Sequence, residues 1–175
     1  MSEELLDILD ENGRVIGSAP RSEIHARGLL HRVVHVVVRD HAGRLLLQKR
    51  AASKDTHPGM WDTSVGGHVG SGESIPSSAV RETYEELGIA IESDSLLPLA
   101  YHLVDLPNDR EWVENFELVH EGPFHPDAAE VESVAWFTTE EVRDLASRGS
   151  CTTNFVIQWK LWLEARMAEG SGAAG

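Results

Sequence analysis

The sequence has little cysteine and little positive charge. Its 175 residues include one cysteine, Cys151, which excludes an intramolecular disulfide and a cysteine-based zinc site. Fifteen Lys and Arg residues stand against 29 Asp and Glu residues, a net charge of −14. A chain without a basic stripe cannot displace the counterions of a long polyanion, so we expect no nucleic-acid partner. A small phosphate ester stays compatible with this charge because a bound metal ion can screen it.

Long apolar runs are absent too. No apolar stretch approaches the length of about 18 residues that spans a membrane, and the acidic N-terminus lacks the basic region of a signal peptide. We therefore expect a cytoplasmic protein that does not contact a membrane. The length and a composition of 41% hydrophobic and 25% charged residues predict a single domain over residues 1–169. Small residues from Gly170 onward predict a flexible tail over residues 170–175.

A glycine-rich loop followed by a helix stands out over residues 67–89. The second part, Ser74 to Leu87, is predicted to be helical. Ser74 or the preceding Glu73 can cap its start, and Pro76 falls in the first turn, where a missing N–H costs nothing. Gly88 is typical of a helix end. The local signals therefore fix both ends of this helix.

Three carboxylates crowd one face of the predicted helix. Glu82, Glu85 and Glu86 are three and four residues apart, so their charges repel one another. Glu85 and Glu86 also lie in the last turn, where the helix dipole disfavours negative charge. Arg81 can pair with Glu85 but cannot neutralise all three. A divalent cation bound through oxygen atoms would remove the conflict, whereas three glutamates alone would favour a solvated acidic face.

The full spacing of this stretch is more specific than the three glutamates. Gly67, Glu73 and the run from Arg81 to Ile89 match the signature Gx5Ex7REUxEExGU, where U is a bulky aliphatic residue. The chain therefore resembles the Nudix hydrolase superfamily. Thr83 departs from the signature because it stands at an aliphatic position. We expect Thr83 to face the sheet, so the departure concerns packing more than chemistry.

The resemblance implies a reaction and a metal site. Water attacks a phosphorus atom of a diphosphate linkage in a small-molecule substrate, with Mg²⁺ or Mn²⁺ as cofactor. Glu85 and Glu86 correspond to metal ligands, and Glu82 corresponds to the base or a metal-bridging carboxylate. Gly66 and Gly67 would let the backbone approach the metal, with the Gly66 carbonyl as a further ligand. We expect Glu73 and Arg81 to form a structural ion pair instead.

A further metal-binding carboxylate is expected from a later strand. Glu114 is preferred, with Glu117 and Glu130 as open alternatives. Arg50 and Lys54 are candidate diphosphate-binding residues, although a solvated loop explains them about equally well. The number of metal ions, the group attached to the diphosphate and the oligomeric state, including a homodimer, stay open.

A narrower resemblance covers about half the chain. Residues 7–88 and the Glu114-Asn115 pair are similar to the branch that contains isopentenyl-diphosphate isomerase. The isomerase needs a cysteine where this chain has Gly66, and it loses the carboxylate that this chain keeps at Glu82. We therefore expect an isomerase-like Nudix hydrolase. The alternatives are the isomerase itself and a non-catalytic module that senses a nucleotide.

Other aromatic and imidazole side chains carry weaker signals. His31, His35 and His68 resemble a metal-binding histidine set of the isomerase. Without the cysteine, a core or supporting role is favoured for His31 and His35. Trp112 and Trp159 could stack on a base, but packing is favoured.

The hydrophobic pattern predicts an α/β fold, and the resemblance implies the same Nudix fold, a mixed sheet sandwiched between helices. The predicted strands and helices are Leu5–Asp10, Arg14–Ala19, a short helix over Arg21–Arg27, Val33–Arg39, Leu45–Gln48, Trp61–Val65, Leu96–Leu106, Trp112–His120, Val134–Phe137, a helix capped by Thr138, and a last helix over Asn154–Met167.

Overall fold

The structure is a computed structural model that describes residues 3–54 and 56–172. A hairpin opens the chain, formed by β1 (Leu5–Leu9) and β2 (Val15–Pro20). The short helix α1 (Arg21–Arg27) follows directly and ends at Gly28, whose φ of 59° is left-handed. This hairpin lies beside the glycine-rich loop, because Leu6 pairs with Gly70 in an isolated bridge.

The remaining strands form one eight-stranded sheet with a path β10-β4-β3-β9-β7. Strands β5, β6 and β8 lie off this path and pair with β4, β3 and β9. The strands and helices after α1 are β3 (His31–Arg39), β4 (Leu45–Arg50), β5 (Trp61–Asp62), β6 (Val65–His68), α2 (Ile75–Leu87), β7 (Leu97–Pro98), β8 (His102–Leu106), β9 (Asp109–Val119), β10 (Val131–Phe137), α3 (Thr139–Ser147) and α4 (Thr153–Gly172).

Strand β3 is the centre of the molecule. It runs parallel to β9 and antiparallel to β4 and β6, and its β-branched residues are buried on both faces of the sheet. Alternate residues point to opposite faces, so Val36 packs beneath α2 whereas Val37 packs beneath α4. Helices therefore cover both faces of a mixed sheet, which confirms the predicted α/β architecture.

Most predicted elements are present, but several boundaries were wrong, and β9 and β10 each begin three residues earlier than expected. The single strand expected over Trp61–Val65 is two strands, β5 and β6, which pair with different neighbours. The long strand expected over Leu96–Leu106 is divided into β7 and β8. The last helix continues to Gly172, past the expected end at Met167.

The last helix overlaps the tail that was predicted over residues 170–175. The helix reaches into the tail predicted to begin at Gly170, and residues 173–175 of that tail lie outside the described residues. The division into one domain and a tail stays a prediction.

None of the helices in the described part of the chain is both long and apolar enough to cross a membrane.

Candidate active site and metal-binding groups

Helix α2 carries most of the predicted site, and local sequence signals position it. The Ser74 hydroxyl accepts a hydrogen bond from the N–H of Ser77, and Gly88 ends the helix with a φ of 66°. Thr83 is fully buried beneath the helix, as expected for a residue that faces the sheet. Its hydroxyl donates to the backbone oxygen of Ala79 over 2.6 Å, so the polar group at this aliphatic position is satisfied within the helix.

Arg81 links the charged groups of this helix. Its Nε and Nη2 atoms donate to the two carboxylate oxygens of Glu73 over 3.1 and 3.0 Å. Its Nη1 atom donates to Glu82 over 2.6 Å and to Glu85 over 3.0 Å. Its Nη2 atom also donates to the backbone oxygen of His68 over 3.0 Å. Hydrogen bonds from Arg81 lower the pKa of Glu73, so this pair fastens the loop to the helix.

Glu82 lies directly against the backbone of Gly67. A Cβ atom at Gly67 would stand 2.0 Å from the Cδ atom of Glu82, far inside contact distance. Glycine is needed here for space, since the φ of Gly67 is not in the left-handed region. The sequence predicted that this glycine lets the backbone approach a metal, and in the structure the Glu82 carboxylate fills the space. Burial raises the pKa of Glu82, and Arg81 opposes that shift.

Glu86 is buried next to the strand that carries Gly66. Its Oε2 atom accepts hydrogen bonds from the Gly66 N–H over 3.1 Å and from Nε2 of Gln48 over 3.0 Å. Burial raises the pKa of Glu86 to about 8, and the charge of Glu82 adds to the shift that the hydrogen bonds oppose. A buried carboxyl group with this few donors holds a negative charge poorly, so the position favours a nearby cation.

Glu85 is different, because its side chain is 54% exposed and its contact is the ion pair with Arg81. Within residues 3–54 and 56–172, the three carboxylates do not form a group whose donor oxygens all lie within 4.8 Å of one another. Helix α2 therefore brings Glu82, Glu85 and Glu86 to one side of the sheet without converging them on a single point.

The three alternatives for the later carboxylate lie in different places. Glu114 is in register with Val34, which is in register with Gly67, so Glu114 lies on the sheet face that Glu82 covers. Glu117 is fully buried on the opposite face. Glu130 forms an ion pair with Lys54 of the loop after β4. These positions favour Glu114, whose role as a ligand stays a prediction.

Both candidate diphosphate-binding residues already have protein partners. Arg50 donates to Asp62 over 3.1 Å and to the Thr56 backbone and hydroxyl oxygens over 3.0 and 3.1 Å. Lys54 pairs with Glu130. These ion pairs hold the loop after β4 against β5 and β10, and substrate binding by either residue stays a prediction.

The histidines are arranged differently from the predicted set. His31 and His68 lie together with His25 of α1, whereas His35 is buried farther along β3 beside His102. His35 therefore has the core position that the sequence favoured. His25 was missed because it comes from a separate helix, and no spacing rule connects it to the other two.

The two tryptophans behave mainly as packing residues. Trp159 belongs to α4 and is buried in the core between this helix and the sheet. Trp112 stacks on Tyr101 with the ring centroids 4.7 Å apart, and its Nε1 donates to Glu114 over 3.1 Å. Trp112 therefore holds the Glu114 carboxylate through a hydrogen bond, while its ring packs on Tyr101.

Comparison with known proteins identifies the family. The NUDIX domain model matches residues 29–154. An uncharacterised Nudix hydrolase of Yersinia pestis is 40% identical over 163 residues, which cover 91% of this chain and 86% of that protein. The crystal structure of DR0079 from Deinococcus radiodurans is 27% identical with a TM-score of 0.78, covering 91% of this chain and 99% of that one.

A further structure, the Nudix domain of NrtR from Shewanella oneidensis in complex with ADP-ribose, shares the fold alone. It is 15% identical with a TM-score of 0.64, covering 77% of this chain and 86% of that one. The family match over most of the chain shows that this protein belongs to the Nudix hydrolase family. The narrower resemblance to the isomerase branch stays a prediction.

Proposed function

We propose that this protein is a Mg²⁺- or Mn²⁺-dependent hydrolase that cleaves a diphosphate linkage in a nucleoside di- or triphosphate or in a nucleoside diphosphate derivative. The observation that carries the proposal is the burial of two carboxylates of one helix, Glu82 and Glu86, against Gly67 and Gly66. Carboxylates are rarely buried without a partner that stabilises their charge.

The residues present fit a divalent cation. Burial raises the pKa of both Glu82 and Glu86, and Arg81 is the cation that contacts one of them. Glu82, Glu85, Glu86, the carbonyl group of Gly66 and Glu114 would hold the ion. When bound, a divalent cation neutralises diphosphate oxygens and lowers the pKa of a coordinated water.

The protein's own groups have separate parts in this reaction. A pKa raised by burial brings Glu82 closer to the working pH, which suits a residue that accepts a proton from the attacking water. Arg81 orients Glu82 and Glu85 from one guanidinium group. The Gly66 N–H and Gln48 orient Glu86 from the opposite side. All three carboxylates are thus held in place before substrate arrives.

The substrate class rests on the family and the charge of the chain. A net charge of −14 disfavours long polyanions, whereas a small diphosphate needs only local screening. The related Nudix domain of NrtR binds ADP-ribose, a nucleoside diphosphate derivative, and this supports including such compounds among the candidates. Arg50 or Lys54 would have to leave its present ion pair to contact the diphosphate.

Two other functions make different demands on the site. Isomerisation of isopentenyl diphosphate requires a proton donor, and Gly66 offers none where the isomerase has a thiol. A nucleotide-sensing module would not need three carboxylates on α2, which this chain keeps. Hydrolysis is therefore the function that uses the groups present.

An assay that separates the phosphorylated products by chromatography tests the proposal, because a nucleotide sugar or a dinucleotide is cleaved without release of inorganic phosphate. Nucleoside di- and triphosphates, nucleotide sugars, dinucleotides and isopentenyl diphosphate are each incubated with the protein in Mg²⁺ or in excess EDTA. We expect Mg²⁺-dependent hydrolysis whose rate falls at least a hundredfold in Glu82→Gln, because a group positioned for the transition state is lost. Equal turnover in EDTA would contradict the proposal. Formation of dimethylallyl diphosphate, detected by NMR, would favour the isomerase, and tight nucleotide binding without turnover would favour the sensor.

A further inference from the structure

The N-terminal hairpin of β1 and β2 lies outside the residues that the family model matches, yet it contacts the candidate active site. The match begins at residue 29, whereas the hairpin ends at Pro20. Leu6 of β1 forms a bridge with Gly70, which belongs to the loop between β6 and α2, residues 69–74. The N–H of Ser71 donates to the backbone oxygen of Leu5 over 2.8 Å. The hairpin is therefore packed against the loop that leads into α2.

Asp7 is the side chain through which the hairpin holds this loop. Its Oδ1 atom accepts a hydrogen bond from the Ser71 hydroxyl over 2.6 Å, and its Oδ2 atom accepts one from the Gly72 N–H over 3.3 Å. Gly72 has a φ of 76°, a left-handed conformation that favours glycine. Hydrogen bonds to an ionised acceptor are stronger than neutral ones, so one carboxylate fixes two successive residues of this turn.

The residue after the turn, Glu73, connects the loop to the carboxylates of α2. Its two carboxylate oxygens accept hydrogen bonds from Nε and Nη2 of Arg81. The same guanidinium group donates from Nη1 to Glu82 and Glu85. A continuous path of bonded groups therefore leads from Asp7 on the hairpin to two of the three carboxylates.

The turn of the hairpin is attached separately from its first strand. A Cβ atom at Gly13 would stand 3.1 Å from two ring carbons of Trp112, whose Nε1 donates to Glu114. Nη2 of Arg32 donates to the backbone oxygen of Gly13 over 2.7 Å and fastens the turn to β3. Because both β1 and the turn are attached to the rest of the protein, the hairpin can act as a fixed support for the loop.

We propose that Asp7 is a positioning residue of the active site, which fixes the loop of residues 69–74 so that Arg81 holds Glu82 and Glu85 in place. The inference rests on the proposed hydrolase function and adds a residue that lies outside the family signature. A purely structural role predicts lower stability but unchanged turnover by the folded protein. A positioning role predicts a lower kcat with little change in KM, because a misplaced group slows the reaction while the substrate contacts persist.

Steady-state kinetics of Asp7→Ala, with Mg²⁺ and the substrate found in the product assay, tests the proposal. We expect kcat to fall about tenfold while KM changes by less than about twofold. Asp7→Asn keeps one side-chain oxygen as an acceptor and should regain most of the lost rate. Glu3→Ala is the matched control and should keep the wild-type kcat. It removes a carboxylate from the same segment, but that carboxylate accepts its hydrogen bond from Ser22 of α1.

A double variant shows whether Asp7 acts through the loop. Ser71→Ala removes the hydroxyl donor and leaves the Asp7 carboxylate in place. We expect Asp7→Ala combined with Ser71→Ala to be no slower than Asp7→Ala alone, because both changes break the same contact. Losses in kcat that multiply in the double variant would overturn this contact as the cause.

NMR of the ¹⁵N-labelled protein gives a readout that needs no substrate. The Nε–H signal of Arg81 reports its bond to Glu73, so we expect this signal to shift or weaken in Asp7→Ala and to stay unchanged in Glu3→Ala. An unchanged kcat or an unchanged Arg81 signal in Asp7→Ala would overturn the positioning role.

The two readouts separate this inference from the proposed function. If the wild type hydrolyses none of the substrates, the proposed function fails, and the Arg81 signal alone decides whether Asp7 fixes the loop. Circular dichroism checks that Asp7→Ala folds. If it does not fold, Ser71→Ala takes its place in both measurements and should show the same changes to a smaller extent.

Discussion

At the scale of single residues, the position of the Glu82 carboxylate depends on the absence of a side chain at Gly67. The carboxylate occupies the space in which a side chain at residue 67 would begin. Such a requirement cannot be read from a glycine in a sequence, since glycine is also used where a turn needs a positive φ. It becomes visible once α2 is packed on β6.

Gly67→Ala should therefore inactivate the enzyme without touching a catalytic group. The added methyl overlaps Cδ of Glu82, so the carboxylate must rotate away, and a misplaced group of this kind costs about a hundredfold in rate. The measurement is kcat against the substrate found in the screen. Gly17→Ala is the control, because its Cβ would meet Ile8 at an ordinary 3.9 Å. Full activity of Gly67→Ala would show that the position of Glu82 is not critical.

A second residue-scale prediction concerns His102. Burial lowers its pKa to about 4, and its Nδ1 atom accepts a hydrogen bond from Asn115 over 3.0 Å. The unfolded chain protonates this histidine near pH 6.5, so below that pH the unfolded state binds a proton that the folded state does not. The stability linked to His102 is therefore full above about pH 6.5 and is lost as the pH falls towards 4.

His102→Gln keeps a hydrogen-bond acceptor for Asn115 but removes the titration. Between pH 7 and pH 5 we expect the wild type to lose more unfolding free energy than the variant. The difference should be about 1 kcal/mol after allowing for partial solvent screening. Urea unfolding at both pH values measures it. The same pH dependence in the wild type and the variant would show that folding does not lower the pKa of His102.

At the scale of elements, the sequence predicted both ends of α2 correctly but merged β5 and β6 into a single strand. The ends of α2 depend on Ser74, Pro76 and Gly88, which act on their own neighbours. The break between β5 and β6 depends on Thr63 and Ser64. Their hydroxyls donate to backbone oxygens of Val36 and Leu46, so side chains replace the ladder hydrogen bonds there.

The same distinction separates the carboxylates of α2 from the cluster of His25, His31 and His68. Three carboxylates on one helix are recognisable because their spacing is local. The histidine cluster combines α1, β3 and β6, so only the folded topology brings it together. The choice among Glu114, Glu117 and Glu130 likewise needed the register of β9 with β3, which decides the face of the sheet.

Glu117 fastens helix α4 to the sheet. It is fully buried, it accepts hydrogen bonds from Arg39 over 2.8 Å and from Nε1 of Trp162 over 2.6 Å, and it pairs with Arg166. Buried ion pairs of this kind contribute little net stability while intact. Removing one partner is costly, however, because the charge that remains is left uncompensated.

Glu117→Gln should therefore lower the unfolding free energy by about 3 kcal/mol, measured by urea unfolding. Activity of the folded variant should stay within about threefold, since Glu117 lies on the face opposite α2. Glu114→Gln is the comparison and should show the reverse, with reduced Mg²⁺-dependent activity and little change in stability. A stable but inactive Glu117→Gln would reassign the later metal ligand to Glu117.

At the scale of the whole molecule, the proposed divalent-cation site would link metal binding to the stability of the fold. The chain carries a net charge of −14. Two of its acidic side chains, Glu82 and Glu86, are buried between α2 and the sheet. A cation that binds only this folded arrangement stabilises it by RT ln(1 + [L]/Kd), about 2.7 kcal/mol at a hundredfold excess over Kd. Binding of the proposed cation should therefore raise the free energy of unfolding.

We expect saturating Mg²⁺ to raise the melting temperature by roughly 5–10 °C, using about 2–4 °C per kcal/mol for a domain of this size. The shift should largely vanish in Glu85→Gln, Glu86→Gln, whose metal-free form should be no less stable than the wild type. That variant loses like-charge repulsion, and an amide oxygen at residue 86 can still accept the Gly66 N–H. Glu92→Gln, Glu140→Gln removes the same charge from exposed positions and controls for net charge. Equal Mg²⁺-induced shifts in the wild type and the α2 variant would place the Mg²⁺ site elsewhere on the chain.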